Sequence, residues 1–129
     1  MAICIPNSDV DFSSPGEKII FSRLKQLPDT CLVYYEMIIG ERDRRPDFVV
    51  IDLERGVTIF EVKDWGIDTI IHADQRTFTI AGKQNHVIKV NNPEHKIKLY
   101  LEDIREQLST QDVLCDDRGR LNISICYYI

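Results

Sequence analysis

The sequence of 129 residues lacks the features that mark membrane and secreted proteins. It contains no apolar run near the ~20 residues that a membrane-spanning helix requires. Its start has no basic region and only a short apolar stretch, unlike a secretory signal. We therefore expect no membrane segment and an intracellular, cytoplasmic protein.

Cysteine, glycine and histidine are too sparse for several kinds of site. The four cysteines form no CxxC pair and no zinc-ligand spacing, so we expect reduced thiols. The six glycines form no glycine-rich phosphate loop, which argues against nucleotide triphosphate hydrolysis. His72, His86 and His95 have no serine or cysteine at a signature spacing, which argues against a nucleophilic triad.

Basic residues are also fewer than acidic residues. The net charge is −5 and the isoelectric point is about 5.1, whereas a dedicated nucleic-acid binder is usually basic. An enzyme that meets phosphates through bound metal cations is not excluded. Arg42, Arg44 and Arg45 form one local basic cluster.

What is present suits one globular domain. Hydrophobic residues make up 43% of the chain and charged residues 29%, enough for an ordinary core. We expect residues 1–13 to be an irregular, polar lead-in and residues 14–129 to form the domain. The apolar ending, Cys126 to Ile129, suggests a fragment of a longer protein.

Two helix starts can be read directly. Ser14 can cap a first helix, Pro15 suits its first position, and Glu17 completes a capping box. This helix should end before Pro28. A second helix should span residues 93–110, because Asn91-Asn92-Pro93 is a second helix-start signal.

Strand candidates alternate with turn signals. They are residues 32–39, 48–51, 57–63, 67–72, 77–80, 86–90 and 121–129. Together with the two helices, they predict a mixed sheet with helices packed on it.

Charges interrupt the hairpin formed by the second and third of these strands. Side chains alternate along a strand, so Glu61 and Lys63 should point to one face. If Ile51 lies opposite Val57, an antiparallel register places Asp47 opposite Glu61, with their Cβ atoms about 5 Å apart. The chain should therefore bring two carboxylates together on one face.

Two carboxylates at that distance repel unless a cation lies between them. Mg²⁺, or Mn²⁺, is suited because it prefers oxygen ligands, and the backbone carbonyl of Val62 could supply another oxygen. Lys63 could orient or deprotonate a water, or stabilise charge on a phosphate. The alternative interpretation is an exposed edge cluster of ordinary ion pairs.

This pattern resembles the PD-(D/E)XK nuclease superfamily, through Pro46-Asp47 followed by Glu61-Val62-Lys63. More specifically, the chain resembles the nuclease-related domain (NERD) family over roughly residues 14–129. The matching landmarks are Gly16-Glu17, Asp47-Phe48-Val49-Val50, Phe60-Glu61-Val62-Lys63, Trp65-Gly66 and Asn92-Pro93.

The resemblance implies an α/β, restriction-endonuclease-like core, a mixed central β-sheet flanked by α-helices. In such cores an acidic residue of the first helix joins the site, here Glu17, which can also serve as the helix cap. Family members often carry a polar residue, commonly Gln, shortly after the Asn-Pro step. Lys96 stands there in this chain, where it could contact a phosphate or simply be solvated.

The leading hypothesis is therefore a metal-dependent deoxyribonuclease in DNA processing or repair. Asp47 and Glu61 would bind the metal, Glu17 would assist, and Lys63 would be catalytic. Arg44, Arg45 and Lys96 are candidate DNA contacts. The resemblance also implies fusion to, or association with, a helicase, and a homodimer would bring two active sites together. The alternative is a non-catalytic module that binds nucleic acid or a partner domain.

Overall fold

The computed structural model describes residues 1–7, 10–118 and 124–129. Its helices are α1 (Pro15–Leu24) and α2 (Pro93–Ser109). Its strands are β1 (Ile3–Ile5), β2 (Cys31–Tyr35), β3 (Phe48–Asp52), β4 (Gly56–Phe60), β5 (Ile70–Ala73), β6 (Thr77–Ala81), β7 (Val87–Asn91) and β8 (Ile125–Tyr128). Among the helices of these residues, none combines the length and apolar character needed to span a bilayer.

A five-stranded mixed sheet forms the centre of the molecule, in the order β1-β2-β3-β4-β8. The outer pairs β1–β2 and β4–β8 are parallel, while β2–β3 and β3–β4 are antiparallel. A second, three-stranded antiparallel sheet has the order β5-β6-β7.

The two helices cover opposite faces of the central sheet. Phe48 and Val50 of β3 pack with Phe21 of α1, whereas Val49 packs with Ile97 of α2. All three β3 residues are buried, which explains why this strand is a continuous apolar run rather than an alternating one. The predicted restriction-endonuclease-like core, a mixed sheet flanked by helices, is confirmed.

Both predicted helix starts are observed. The backbone N–H of Glu17 donates to Ser14 Oγ at 3.3 Å, and the backbone N–H of Ser14 donates to Glu17 Oε2 at 3.0 Å. Asn92 caps α2, because its Oδ1 accepts the Glu94 backbone N–H at 2.9 Å. Regular helix in α1 ends at Leu24, before the predicted stop at Pro28.

The expectation of an irregular lead-in is wrong for residues 3–5, which form β1. This strand runs parallel to β2, with Cys4 opposite Val33. Cys4 packs against the α1-side core, while Ile3 and Ile5 remain exposed. A strand of only three residues shows no readable period, so neighbours elsewhere in the chain determine it. Residues 8 and 9 of the lead-in lie outside the described residues.

The other strand predictions differ mainly at their ends. The strand predicted over residues 32–39 stops at Tyr35, because Glu36 adopts the left-handed backbone conformation with φ of 51°. The prediction over 67–72 begins instead with a 3-10 turn and becomes a strand at Ile70. Of the prediction over 121–129, residues 121–123 lie outside the described part of the chain.

Candidate active site

The predicted register of the central hairpin is confirmed. Ile51 pairs with Val57, and Phe48 pairs with Phe60 at the last step of the ladder. Asp47 precedes this last pair and Glu61 follows it, so both acids lie at the open end of the hairpin.

Alternation along β4 directs Glu61 toward α2. Ile59 packs in the α2-side core, while Phe60 and Val62 pack on the α1 side. Glu61 stands between Phe60 and Val62 and continues the direction of Ile59. Consistent with this, Lys96 Nζ of α2 donates to Glu61 Oε1 at 3.2 Å.

Glu61 is a buried carboxylate with only one oxygen in use. Its exposed fraction is 3%, and Oε1 is approached by Lys63 Nζ at 3.3 Å and by Lys96 Nζ at 3.2 Å. Glu61 Oε2 is buried and finds no hydrogen-bond partner within the described residues. Since a buried polar atom is costly when left unpaired, Oε2 is an acceptor available to a further positive group.

The surroundings of Asp47 disfavour its charged form. Burial raises the pKa of Asp47 from its ordinary 3.8 to about 6; the hydrogen bond from Val62 N–H opposes this rise, and the charges of Glu61 and Glu17 add to it. That hydrogen bond, from Val62 N–H to Asp47 Oδ2, is 2.7 Å long. Glu17, Asp47 and Glu61 therefore form one negatively charged cluster. A bound cation would reduce the repulsion among their charges.

Glu17 serves as the cap of α1, and it also lies close enough to Asp47 to act on its charge. It is buried, it completes the cap of α1, and its charge contributes to the raised pKa of Asp47. Glu17 Oε2 additionally accepts the Tyr35 hydroxyl at 3.4 Å. Tyr35 was missed at the sequence level; its only signal is its place at the end of the strand that pairs with Phe48.

A close approach fixes the start of α1 against the end of the hairpin. The backbone N–H of Gly16 donates to Asp64 Oδ1 at 2.8 Å. A Cβ atom added at Gly16 would overlap Asp64 Oδ1 and would lie 3.1 Å from Val62 Cγ1. Gly16 thus permits the packing that carries Glu17 to Asp47, and Asp64 is a second supporting residue that the sequence did not single out.

Lys96 is held as a cation between Glu61 and Tyr100. Its Nζ lies 5.7 Å from the centroid of the Tyr100 ring. Partial burial lowers the pKa of Lys96, but the hydrogen bond to Tyr100 and the charge of Glu61 outweigh it, so the net pKa is raised. Lys96 therefore contributes positive charge directly at the carboxylates.

The three predicted DNA contacts have different surroundings. Arg44 Nη1 lies 3.2 Å from Asp103 Oδ2, and Arg42 Nη1 lies 2.9 Å from Asp103 Oδ1. Because the Asp103 side chain is only 1% exposed, Arg44 is engaged in a buried ion pair with α2. Arg45 and Lys96 are exposed. Contact of these residues with DNA stays a prediction.

The donor set fits a hard divalent cation. In residues 1–7, 10–118 and 124–129, no group of three or more His, Cys, Asp and Glu side chains is already arranged around a metal position. The nearby carboxylates of Glu17, Asp47 and Glu61 nevertheless offer oxygen ligands of the kind that Mg²⁺ and Mn²⁺ prefer. The unpartnered Glu61 Oε2 provides an acceptor for such an ion.

Comparison with known proteins agrees with this geometry. A sequence model of the nuclease-related domain, NERD, matches residues 13–126. Searches of curated proteins and of solved structures gave no significant match. The matched region spans most of the chain and includes Glu17, Asp47, Glu61 and Lys63. The chain therefore belongs to the nuclease-related domain family.

Proposed function

We propose that this chain is a metal-dependent nuclease domain that hydrolyses phosphodiester bonds of DNA. The observation that carries the proposal is the buried carboxylate of Glu61, whose Oε2 has no partner in the described structure. Asp47 and Glu17 add negative charge at the same point, as the raised pKa of Asp47 indicates. Without a bound cation such a cluster would destabilise the fold, because buried like charges repel one another.

In this proposal Asp47 and Glu61 hold Mg²⁺ or Mn²⁺. Glu17 assists from α1, and the backbone carbonyl of Val62 supplies a further oxygen. When bound, the cation supplies charge neutralisation and polarises the phosphate and water oxygens.

Lys63 is proposed as the catalytic cation of the chain. Its Nζ lies 3.3 Å from Glu61 Oε1, and its side chain is 32% exposed, so it borders both the carboxylates and solvent. An ammonium group in this position can orient the attacking water and stabilise the charge that develops on the phosphate. Lys96, also exposed, can contact a phosphate oxygen.

A cleavage assay tests the proposal. Supercoiled plasmid is incubated with the protein and Mg²⁺ or Mn²⁺, beside the Lys63→Ala variant and an Arg105→Ala control on the exposed side of α2. We expect cleavage that EDTA abolishes, that Lys63→Ala reduces about 100-fold or more, and that Arg105→Ala leaves unchanged. Absence of cleavage with either metal by folded protein that still binds DNA would refute catalysis by this chain.

One observation favours a second candidate, a non-catalytic module that binds nucleic acid or a partner domain. Lys63 and Lys96 both lie beside Glu61 Oε1, so the protein itself supplies positive charge there. The net charge of −5 disfavours a strong general affinity for DNA, which favours the partner-binding form of this candidate. Calorimetric titration with Mg²⁺ and Mn²⁺ separates the two candidates, since the binding module predicts no heat of binding that depends on Asp47.

We infer an intracellular role in DNA processing or repair, beside an associated or fused helicase domain. Cutting both strands in one encounter needs two active sites, so we also propose a homodimer on DNA. Sedimentation of the protein with and without a DNA duplex tests the dimer.

A further inference from the structure

A groove opens directly beside the carboxylates, between the start of α2 and the turn joining β5 to β6. Its volume is about 670 Å³, which lies in the range of ligand-binding clefts. Among its lining residues are Lys63, Trp65, Arg76, Asn91, His95 and Lys96. Since Lys63 and Lys96 also contact Glu61, the groove is continuous with the proposed active site.

The groove is positively charged on a negatively charged protein. Lys63, Arg76 and Lys96 line it together with His95, and none of the described residues that line it is acidic. The whole chain has a net charge of −5. The concentration of cations here therefore marks a place for an anionic ligand.

Trp65, the single tryptophan of the sequence, gives the groove an aromatic wall. It is half-buried, and its ring meets the ring of Phe78 on β6 at a centroid distance of 5.7 Å and an interplanar angle of 60°. This edge-to-face contact fixes the orientation of the indole. A fixed aromatic surface next to cations is the combination on which unpaired bases stack.

Arg76 is presented by a turn that is bonded to the start of α2. The backbone N–H of Asn92 donates to the Arg76 carbonyl at 2.9 Å, and Asn92 Nδ2 donates to the Asp74 carbonyl at 3.1 Å. His95 Nε2 lies 2.6 Å from the carbonyl oxygen of Gln75. The small second sheet is thereby held against α2, and its Arg76 is kept on the groove.

We propose that this groove binds an unpaired nucleotide of single-stranded DNA next to the scissile phosphate. The base stacks on Trp65, and a phosphate of the same strand pairs with Arg76. Duplex DNA keeps its base faces stacked on one another, so the groove selects single strands, flaps or frayed ends. The inference rests on the proposed function for the position of the scissile phosphate, but the binding can be tested without cleavage.

Tryptophan fluorescence reports on the groove directly, because Trp65 is the single fluorophore of its kind. The full chain in EDTA is titrated with a short oligothymidylate and with a duplex of the same length. We expect saturable quenching by the single strand and a much weaker response to the duplex. Equal responses to both, or no response to the single strand, would overturn the proposal.

Variants then test stacking and phosphate contact separately, using anisotropy of a labelled oligothymidylate. Trp65→Ala should weaken binding about 10-fold, and Trp65→Phe should restore most of it. Arg76→Ala should reduce the slope of log affinity against log salt by about 0.7, the effect of one lost phosphate contact on a single strand. Arg105→Ala should leave both quantities unchanged.

Folding is controlled for by comparing the melting temperatures of all variants. Unchanged affinity in Trp65→Ala at an unchanged melting temperature would overturn the groove assignment. Plasmid cleavage is measured in parallel: cleavage without Trp65-dependent binding refutes only the groove, whereas Trp65-dependent binding without any cleavage refutes only the nuclease activity.

Discussion

The carboxylate of Asp47 accepts a hydrogen bond of 2.7 Å from the backbone N–H of Val62. This bond joins the acid that precedes β3 to Val62, the residue between Glu61 and Lys63. It holds the Asp47 carboxylate beside the backbone that carries Glu61 and Lys63. The proposed metal site depends on this junction.

Asp47 should make the metal-free protein less stable as the pH rises. Its pKa is about 6 in the folded protein and 3.8 ordinarily, so the folded state binds the proton more tightly. The stability it contributes is therefore present below pH 4 and lost as the pH rises through about 6. We expect the melting temperature in EDTA to fall across this window, and to fall less in Asp47→Asn.

The control for this experiment is Asp29→Asn, at an exposed position. It should retain the pH dependence of the native chain. The same pH profile in Asp47→Asn and in the native chain would show that the Asp47 charge is already compensated without a metal.

Lys96 and an added divalent cation should compete for Glu61. Lys96→Met removes one of the two ammonium groups on Oε1, so we expect a loss of about 1–2 kcal/mol in the free energy of unfolding without metal. Mg²⁺ should then stabilise this variant more than it stabilises the native chain. Urea denaturation with and without Mg²⁺ measures both effects.

Lys98→Met provides the matched control, since the ion pair of Lys98 within the described residues is with the more exposed Glu94, at 3.6 Å on the same helix. Its cost should be no more than about 0.5 kcal/mol. Equal stabilisation of Lys96→Met and the native chain by Mg²⁺ would contradict competition at Glu61.

Gly16→Ala should weaken the contact between the start of α1 and Asp64, which supports the site. The new Cβ overlaps Asp64 Oδ1, so the hydrogen bond from the Gly16 N–H is lost, at about 1 kcal/mol. In an Asp64→Ala background the same substitution should cost less, because the overlap with Asp64 is removed and alanine favours helix, while the 3.1 Å approach to Val62 Cγ1 remains. A double-mutant cycle of unfolding free energies that shows no coupling between the two positions would rule out this account.

Substitution of Arg44 and of Arg45 by alanine should distinguish a structural role from a DNA-binding role. Arg44→Ala leaves the buried Asp103 with less compensation, so we expect a loss of about 3 kcal/mol in stability. Arg45→Ala, at an exposed neighbouring position, should change stability by less than about 0.5 kcal/mol and reduce DNA affinity. Thermal denaturation and DNA-binding titrations of both variants check this; a stable Arg44→Ala protein would contradict the importance of the ion pair.

Local patterns were sufficient to predict the hairpin and its register. Two apolar runs joined by a tight turn fix which residues pair, and strand alternation then places Asp47 and Glu61 at one end. The capping box likewise placed Glu17 at the start of α1, since it involves residues only three positions apart. Such features depend on short sequence separations.

Contacts between distant segments could not be read in the same way. β1 is too short to show a period, and only its pairing with β2 reveals it. The positive φ of Glu36, which ends β2 early, carries no glycine or asparagine signal. The hydrogen bond of Tyr35 to Glu17 and the ion pair of Asp103 with Arg44 join residues that are far apart in the chain. No spacing rule could therefore pair them.

The most direct test of the central claim is the anomalous scattering of Mn²⁺ in crystals of the full chain grown at saturating Mn²⁺. The account predicts one peak in contact with carboxylate oxygens of both Asp47 and Glu61, lost in crystals of Glu61→Gln. Absence of a peak at these residues in the native crystals, with Lys63 and Lys96 still on Glu61, would contradict it.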